Sequence, residues 1–149
     1  MDGNSVTFTY STPLSESGTW QTDYGNAGEY KVVVTADNGK LKSTQDVLIV
    51  VKHKNRGPVF GELNPITVRE TEAVDLSNTT AKDPDNDRLI YSFSGWMDKS
   101  AYTTGYEDAG NHTVTITAAD PSGASGQGTI TIIVLDTPRA PIITGIEAE

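Results

Sequence analysis

Two fourteen-residue phrases of this chain nearly repeat each other. Tyr24 to Asp37 reads YGNAGEYKVVVTAD, and 82 positions later Tyr106 to Ala119 reads YEDAGNHTVTITAA. A repeat of that length points to a repeated structural unit, so periodicity limits the fold before any single motif does. The matches continue along the chain. Val6, Phe8 and Tyr10 answer to Leu89, Tyr91 and Phe93, and Trp20, Thr22 and Tyr24 to Tyr102, Thr104 and Tyr106. Val32, Val34 and Ala36 answer to Val114, Ile116 and Ala118. In both copies apolar and polar residues alternate between clusters of turn residues, the pattern of half-buried strands in a β-sandwich. Asn38-Gly39 predicts a two-residue hairpin turn in the first copy.

The repeat divides the 149 residues. Residues 1–54 read as a module lacking its leading strands and 55–137 as a complete one. Residues 138–149 read as a linker with the first strand of a third module, or as an exchange strand. The leading section of the complete module predicts two further strands, Ile66 to Glu70 and Ala73 to Leu76. A sheet without its partner layer leaves an apolar face and an edge open. One reading makes the sequence an excerpt of a longer array. The other lets the tail, through Ile142, Ile143 and Ile146, add as a strand to the open first unit of another chain. Heterologous pairing of that kind generates filaments.

Composition narrows the function classes. Hydrophobic content of 36% is concentrated in residues that suit a pleated surface, and no apolar run approaches the length of a membrane span. Cysteine is absent, which excludes disulfides and thiolate metal sites. A net charge of −9 opposes nucleic-acid and anionic-membrane partners. No nucleophile elbow, phosphate loop or zinc spacing appears, and no reaction is assigned.

The phrase NAGEYKV resembles the immunoglobulin-fold pattern around the tyrosine corner, with Asn26, Gly28 and Tyr30, and Val32 where antibodies have cysteine. The second copy reads DAGNHTV, so Gly110 matches and His112 replaces the tyrosine in a structural role. More widely, AKDPDNDRLIYSFSG and NRGPVFGELNPITVRETEAV resemble the cadherin-like and PKD-like branch of these sandwiches, found as tandem modules in bacterial and archaeal surface proteins. The resemblance implies an all-β chain of tandem immunoglobulin-like antiparallel β-sandwich modules. It also implies an extracellular, cell-surface stalk, adhesin or filament whose partners are neighbouring modules or subunits of the same protein.

Calcium is the one cofactor the residues admit, and the fold requires none. Asp83, Asp85 and Asp87 share a short loop that reads either as a calcium site or as a turn whose side chains bond their own backbone. In cadherin-like proteins such a loop works with carboxylates of the preceding linker, but here Lys52, His53, Lys54 and Arg56 stand in those places and repel a cation. A second expected set joins Glu70 with Asp136 of the following linker. Trp96 and Met97 read as an exposed patch, which supports the alternative of a carbohydrate- or protein-binding module. Asn78 and Asn111 begin glycosylation sequons.

Overall fold

Valine, isoleucine and threonine dominate the long runs of each half, and their branched side chains favour an extended backbone. The computed structural model describes residues 5–143 and 145, and it is built of strands with one short 3-10 turn, Tyr24–Asn26, among the described residues. The chain forms two compact units, Met1–Lys54 and Asn55–Glu149.

Unit 1 is a three-stranded antiparallel sheet of β1 (Thr7–Tyr10), β2 (Gly28–Asp37) and β3 (Lys42–Val51), in that order. Residues directly opposite one another share a face. Tyr10↔Val34, Val32↔Val47 and Tyr30↔Ile49 therefore put an apolar set on one side. Val32 is fully buried there, and Trp20 lies edge-on to Tyr30 with ring centroids 4.7 Å apart. The hairpin between β2 and β3 differs from expectation. Its last pair is Asp37↔Lys42, so the loop has four residues, 38–41, rather than two. The Asn38 side-chain oxygen accepts from the amides of Lys40 and Leu41, at 3.0 and 2.8 Å, and holds the wider turn.

Among the described residues unit 2 has eight strands: β4 (Val59–Phe60), β5 (Ile66–Arg69), β6 (Ala73–Asp75), β7 (Ala81–Lys82), β8 (Ile90–Gly95), β9 (Ala101–Thr103), β10 (Gly110–Ala119) and β11 (Ser125–Leu135). Four of them form a sheet in the order β5-β11-β10-β8, and β4-β7 and β6-β9 form two ribbons. The trio β8-β10-β11 repeats the order of β1-β2-β3. Its pairs Phe93↔Ile116 and Val114↔Ile130 stand where unit 1 has Tyr10↔Val34 and Val32↔Val47. The core joins Val114, Ile116, Ile130, Ile132 and Val134 of this sheet to Val74, Leu76 and Met97. β9 is a strand because β6 lies beside it, whereas its counterpart Thr19–Gln21 in unit 1 joins no ladder.

Met97 overturns an expectation. Instead of standing exposed beside Trp96, it is only 4% exposed and belongs to the core. The cause is local. Gly95 takes φ +101°, and a Cβ there would lie 2.6 Å from the Thr113 carbonyl. The chain crosses close over β10 at this point, the Trp96 amide donates to that carbonyl, and the next side chain is turned inward.

Ile132 is fully buried at the centre of the core. Ile132→Ala is expected to cost unit 2 about 2–5 kcal/mol, measured as a lower urea midpoint at unchanged slope.

Candidate cation site in unit 2

Antiparallel pairing brings distant acids together. Ile90 pairs with Ala119, so the loop before β8 lies beside the turn after β10. There one carboxylate oxygen each of Asp83, Asp87 and Asp120 come within 4.8 Å of one another. Asp83 organises its own loop: one of its oxygens accepts from the amides of Asp85 at 2.8 Å and Asp87 at 3.3 Å. Its carbonyl accepts from Asn86, which sits at φ +61°. The other carboxylate oxygen of Asp83 is buried without a protein partner.

Asp120 is 7% exposed and immobilised from two sides. Asn55 donates to it from its side-chain amide at 2.7 Å, and the Ala124 amide donates at 3.0 Å. The Asn55 hydrogen bond, helped by the amides of Ala124, Ser122 and Gly123, holds the carboxyl below the usual carboxylate range against the opposing effect of burial.

Asp85 does not join this group, contrary to expectation. Its carboxylate faces Arg56, which donates its backbone amide to one oxygen at 2.7 Å and its guanidinium to the other at 2.9 and 2.5 Å. The guanidinium also reaches the Pro84 carbonyl at 2.7 Å. A guanidinium fork bound to a carboxylate in this way is a strong, directional pair. Arg56, expected to repel a cation from the loop, is instead paired with one of the loop's own acids.

Glu70 and Asp136 lie in other surroundings. Glu70 is 2% exposed, with one oxygen accepting from the Thr137 amide at 2.8 Å and the other buried without a protein partner. Asp136 is exposed. Among the described residues no group of three metal-binding side chains includes either. Asp120 was not anticipated. Once β8 and β10 are paired antiparallel, the first acid after β10 must sit beside the acidic loop, and that was the available signal.

A hard divalent cation takes oxygen ligands, several of them carboxylates and carbonyls. Asp83, Asp87 and Asp120 supply three such groups, and the unpartnered oxygen of Asp83 is the atom that most needs a positive neighbour. The residues fit calcium, and these three would hold it.

The remaining expected residues divide clearly. Tyr30 donates from its hydroxyl to the Asn26 carbonyl at 2.9 Å, and His112 donates from Nε2 to the Asp108 carbonyl at 2.7 Å. Both bonds span four residues, and Gly28 and Gly110 between them take φ +152° and +140°. Trp96 is half-buried, stacked on His112 at 4.0 Å and edge-on to Tyr102 at 5.0 Å. It packs against the core rather than forming an open patch. Ile142 and Ile143 are 86% and 81% exposed and belong to no strand; Ile146 lies outside the described residues.

A lowered carboxyl value makes stability depend on pH in one direction. The contribution of Asp120 is present above the ordinary carboxylate range, about pH 4, and is lost as the pH falls through the lowered folded value. The melting temperature of unit 2 is expected to drop on acidification in this window. In Asp120→Asn part of that drop is expected to be missing, as read by melts across a pH series.

No family model matches the chain, and no curated protein matches it. Solved structures do. The EC1-2 pair of human protocadherin-24 aligns over 92% of this chain and 84% of its own, with TM-score 0.58 and 19% identity. Human mucin-like protocadherin EC1-2 aligns over 89% and 85%, with TM-score 0.53 and 16% identity. A cis-dimer structure of protocadherin gammaB7 EC3-6 aligns over 87% of this chain and 41% of its own, with TM-score 0.57 and 20% identity. At such identities the likeness speaks for fold alone, and the fold is an antiparallel, cadherin-like β-sandwich of the immunoglobulin type.

Proposed function

We propose that the chain is a structural segment of an extracellular cell-surface protein, a stalk, adhesin or filament assembled from tandem immunoglobulin-like modules. Its partners on this reading are neighbouring modules or subunits of the same protein. The observation that carries the proposal is the occurrence, in one chain, of two units that share a three-strand ladder with the same order and residue-for-residue pairing. The likeness to consecutive EC repeats of protocadherins supports it. No catalytic step belongs to this reading. Immunogold labelling with an antibody to the chain is expected to mark intact source cells at their surface. Labelling that appears only after permeabilisation overturns the proposal.

Calcium enters the same reading as a stabiliser of unit 2 held by Asp83, Asp87 and Asp120. A ligand that binds only the folded state raises its stability by about 2.7 kcal/mol at a hundredfold excess over the dissociation constant. Titration with calcium is therefore expected to raise the melting temperature of unit 2, and Asp87→Asn to abolish most of the rise. An unchanged midpoint at millimolar calcium removes the ion from the proposal. A carbohydrate-binding role through Trp96 has little support, since His112 covers one face of the indole.

A further inference from the structure

We infer that Asn78, and not Asn111, is an acceptor for an N-linked glycan, transferred from a lipid-linked oligosaccharyl diphosphate by an enzyme that reads Asn-x-Thr. The inference rests on the extracellular reading, because such transfer belongs to proteins that leave the cell interior. It deepens that reading by naming a covalent modification of unit 2.

The chemistry asks for two groups at once. The asparagine side-chain nitrogen must reach the donor sugar, and the threonine hydroxyl two residues on must be open to the transferase. In the transfer, Asn78 Nδ2 forms a bond to C1 of the first sugar while the bond from C1 to the diphosphate oxygen breaks. The diphosphate leaves with that electron pair, and the side-chain nitrogen gives up one proton. No oxidant or reductant takes part.

Asn78-Thr79-Thr80 and Asn111-His112-Thr113 both satisfy the pattern in sequence, and the fold treats them differently. Asn78 stands in the turn that leaves β6. Leu76, 1% exposed, anchors the start of this turn in the core, and its amide donates to the Ser100 carbonyl at 2.7 Å. The Thr79 amide returns to the Leu76 carbonyl at 3.0 Å, and the Asp75 carboxylate accepts from the Ser77 amide at 2.8 Å. The backbone of the turn is therefore held by its own bonds and needs nothing from the sequon side chains. Asn78 is exposed, Thr79 half-buried and Thr80 exposed. Among the described residues neither the Asn78 amide group nor the Thr80 hydroxyl has a hydrogen-bond partner. Acceptor and hydroxyl are both open to solvent.

Asn111 is exposed as well, but its segment is committed to the sheet. It is opposite Ile133 of β11, and the ladder continues through His112↔Ile132 and Thr113↔Thr131. From the other side the Trp96 amide donates to the Thr113 carbonyl at 3.0 Å. The middle residue, His112, is half-buried between its stack on Trp96 at 4.0 Å and its bond to the Asp108 carbonyl at 2.7 Å. An enzyme that takes up these three residues as a segment would have to pull β10 out of the middle of the sheet. At Asn78 it meets a turn already at the surface.

The test uses the full chain purified from its source cells and digested with trypsin, which separates the two sequons into peptides 70–82 and 100–139. Mass spectrometry is expected to show peptide 70–82 heavier by a sum of sugar residues, and peptide 100–139 at its unmodified mass. In chains expressed in the same cells, Asn78→Gln and Thr80→Ala are each expected to abolish the added mass. Thr80→Ser is expected to keep it, since serine supplies the same hydroxyl. Peptide 70–82 found only at its unmodified mass overturns the inference. So does a glycan on peptide 100–139, or added mass on peptide 70–82 that survives Asn78→Gln and so belongs to a serine or threonine. Surface labelling of intact cells together with an unmodified peptide 70–82 overturns this inference alone. Labelling only after permeabilisation overturns the extracellular reading and this inference with it.

Discussion

A sheet with one apolar face is stable only when a second layer takes that face out of water. Most of what distinguishes the two units of this chain follows from how each meets that demand. Unit 2 lays the run from Val59 to Lys82 across its sheet, and Val74, Leu76 and the inward-turned Met97 complete a closed core. The cover needs room, which explains the bare backbone at Gly126 and Gly128 where it passes. Unit 1 presents the same inner face with less to cover it. Trp20, set against Tyr30, shields one end and leaves Val32 buried, while Val47 and Phe8 stay in contact with solvent.

The loops of unit 2 show how a dense set of acids is distributed between two kinds of partner. Carboxylates gathered in one place disfavour each other unless a positive charge or a set of donors intervenes. Arg56 takes Asp85 with its backbone and its guanidinium together, and Asn55 takes Asp120. These two consecutive residues tie the start of unit 2 to two of its acidic loops. What remains is a smaller group, Asp83, Asp87 and Asp120, in which one oxygen still has no protein donor. A basic residue next to an acidic loop is thus compatible with a cation there, provided it is committed to an acid outside the ligand set.

The strands were legible because period-two alternation acts locally. Val32, Val34, Val114 and Ile116 had to share a face whatever lay opposite, and the two phrases predicted the same pairing in both units. The short strands β4 and β7 carried no such signal: two residues do not establish a period, and they exist only because one run passes beside another. Met97 was misread for a related reason. Its loop looks polar around it, and only the close crossing at Gly95 turns the side chain into the core. The acidic site was half legible. The loop Asp83 to Asp87 announced itself by composition, but deciding which acids turn inward required the partners Arg56 and Asn55, about 30 and 65 residues away from Asp85 and Asp120 in sequence. Asp120 needed the strand pairing as well.

The differences between the two units carry more information than the likenesses. Replacing Tyr30 by His112 leaves the bond unchanged in kind, since a phenol hydroxyl and an imidazole Nε2 both reach the carbonyl four residues back. That difference is silent because the geometry that matters lies in the corner backbone. Replacing Thr131 by Leu48 is not silent. It puts a side chain 61% exposed on the outer face of β3, where unit 2 has threonine. Beside it Lys31 and Asp46 make an ion pair at 2.7 Å that is largely in water and adds little stability. Ser43 and Gln45 stand in unit 1 in place of Gly126 and Gly128, so β3 lacks the two bare positions over which the run Pro58 to Leu63 crosses β11. One sheet, written twice, thus keeps its pairing while residues within the shared ladder change: Ser43, Gln45 and Leu48 of β3 stand in the same register as Gly126, Gly128 and Thr131 of β11.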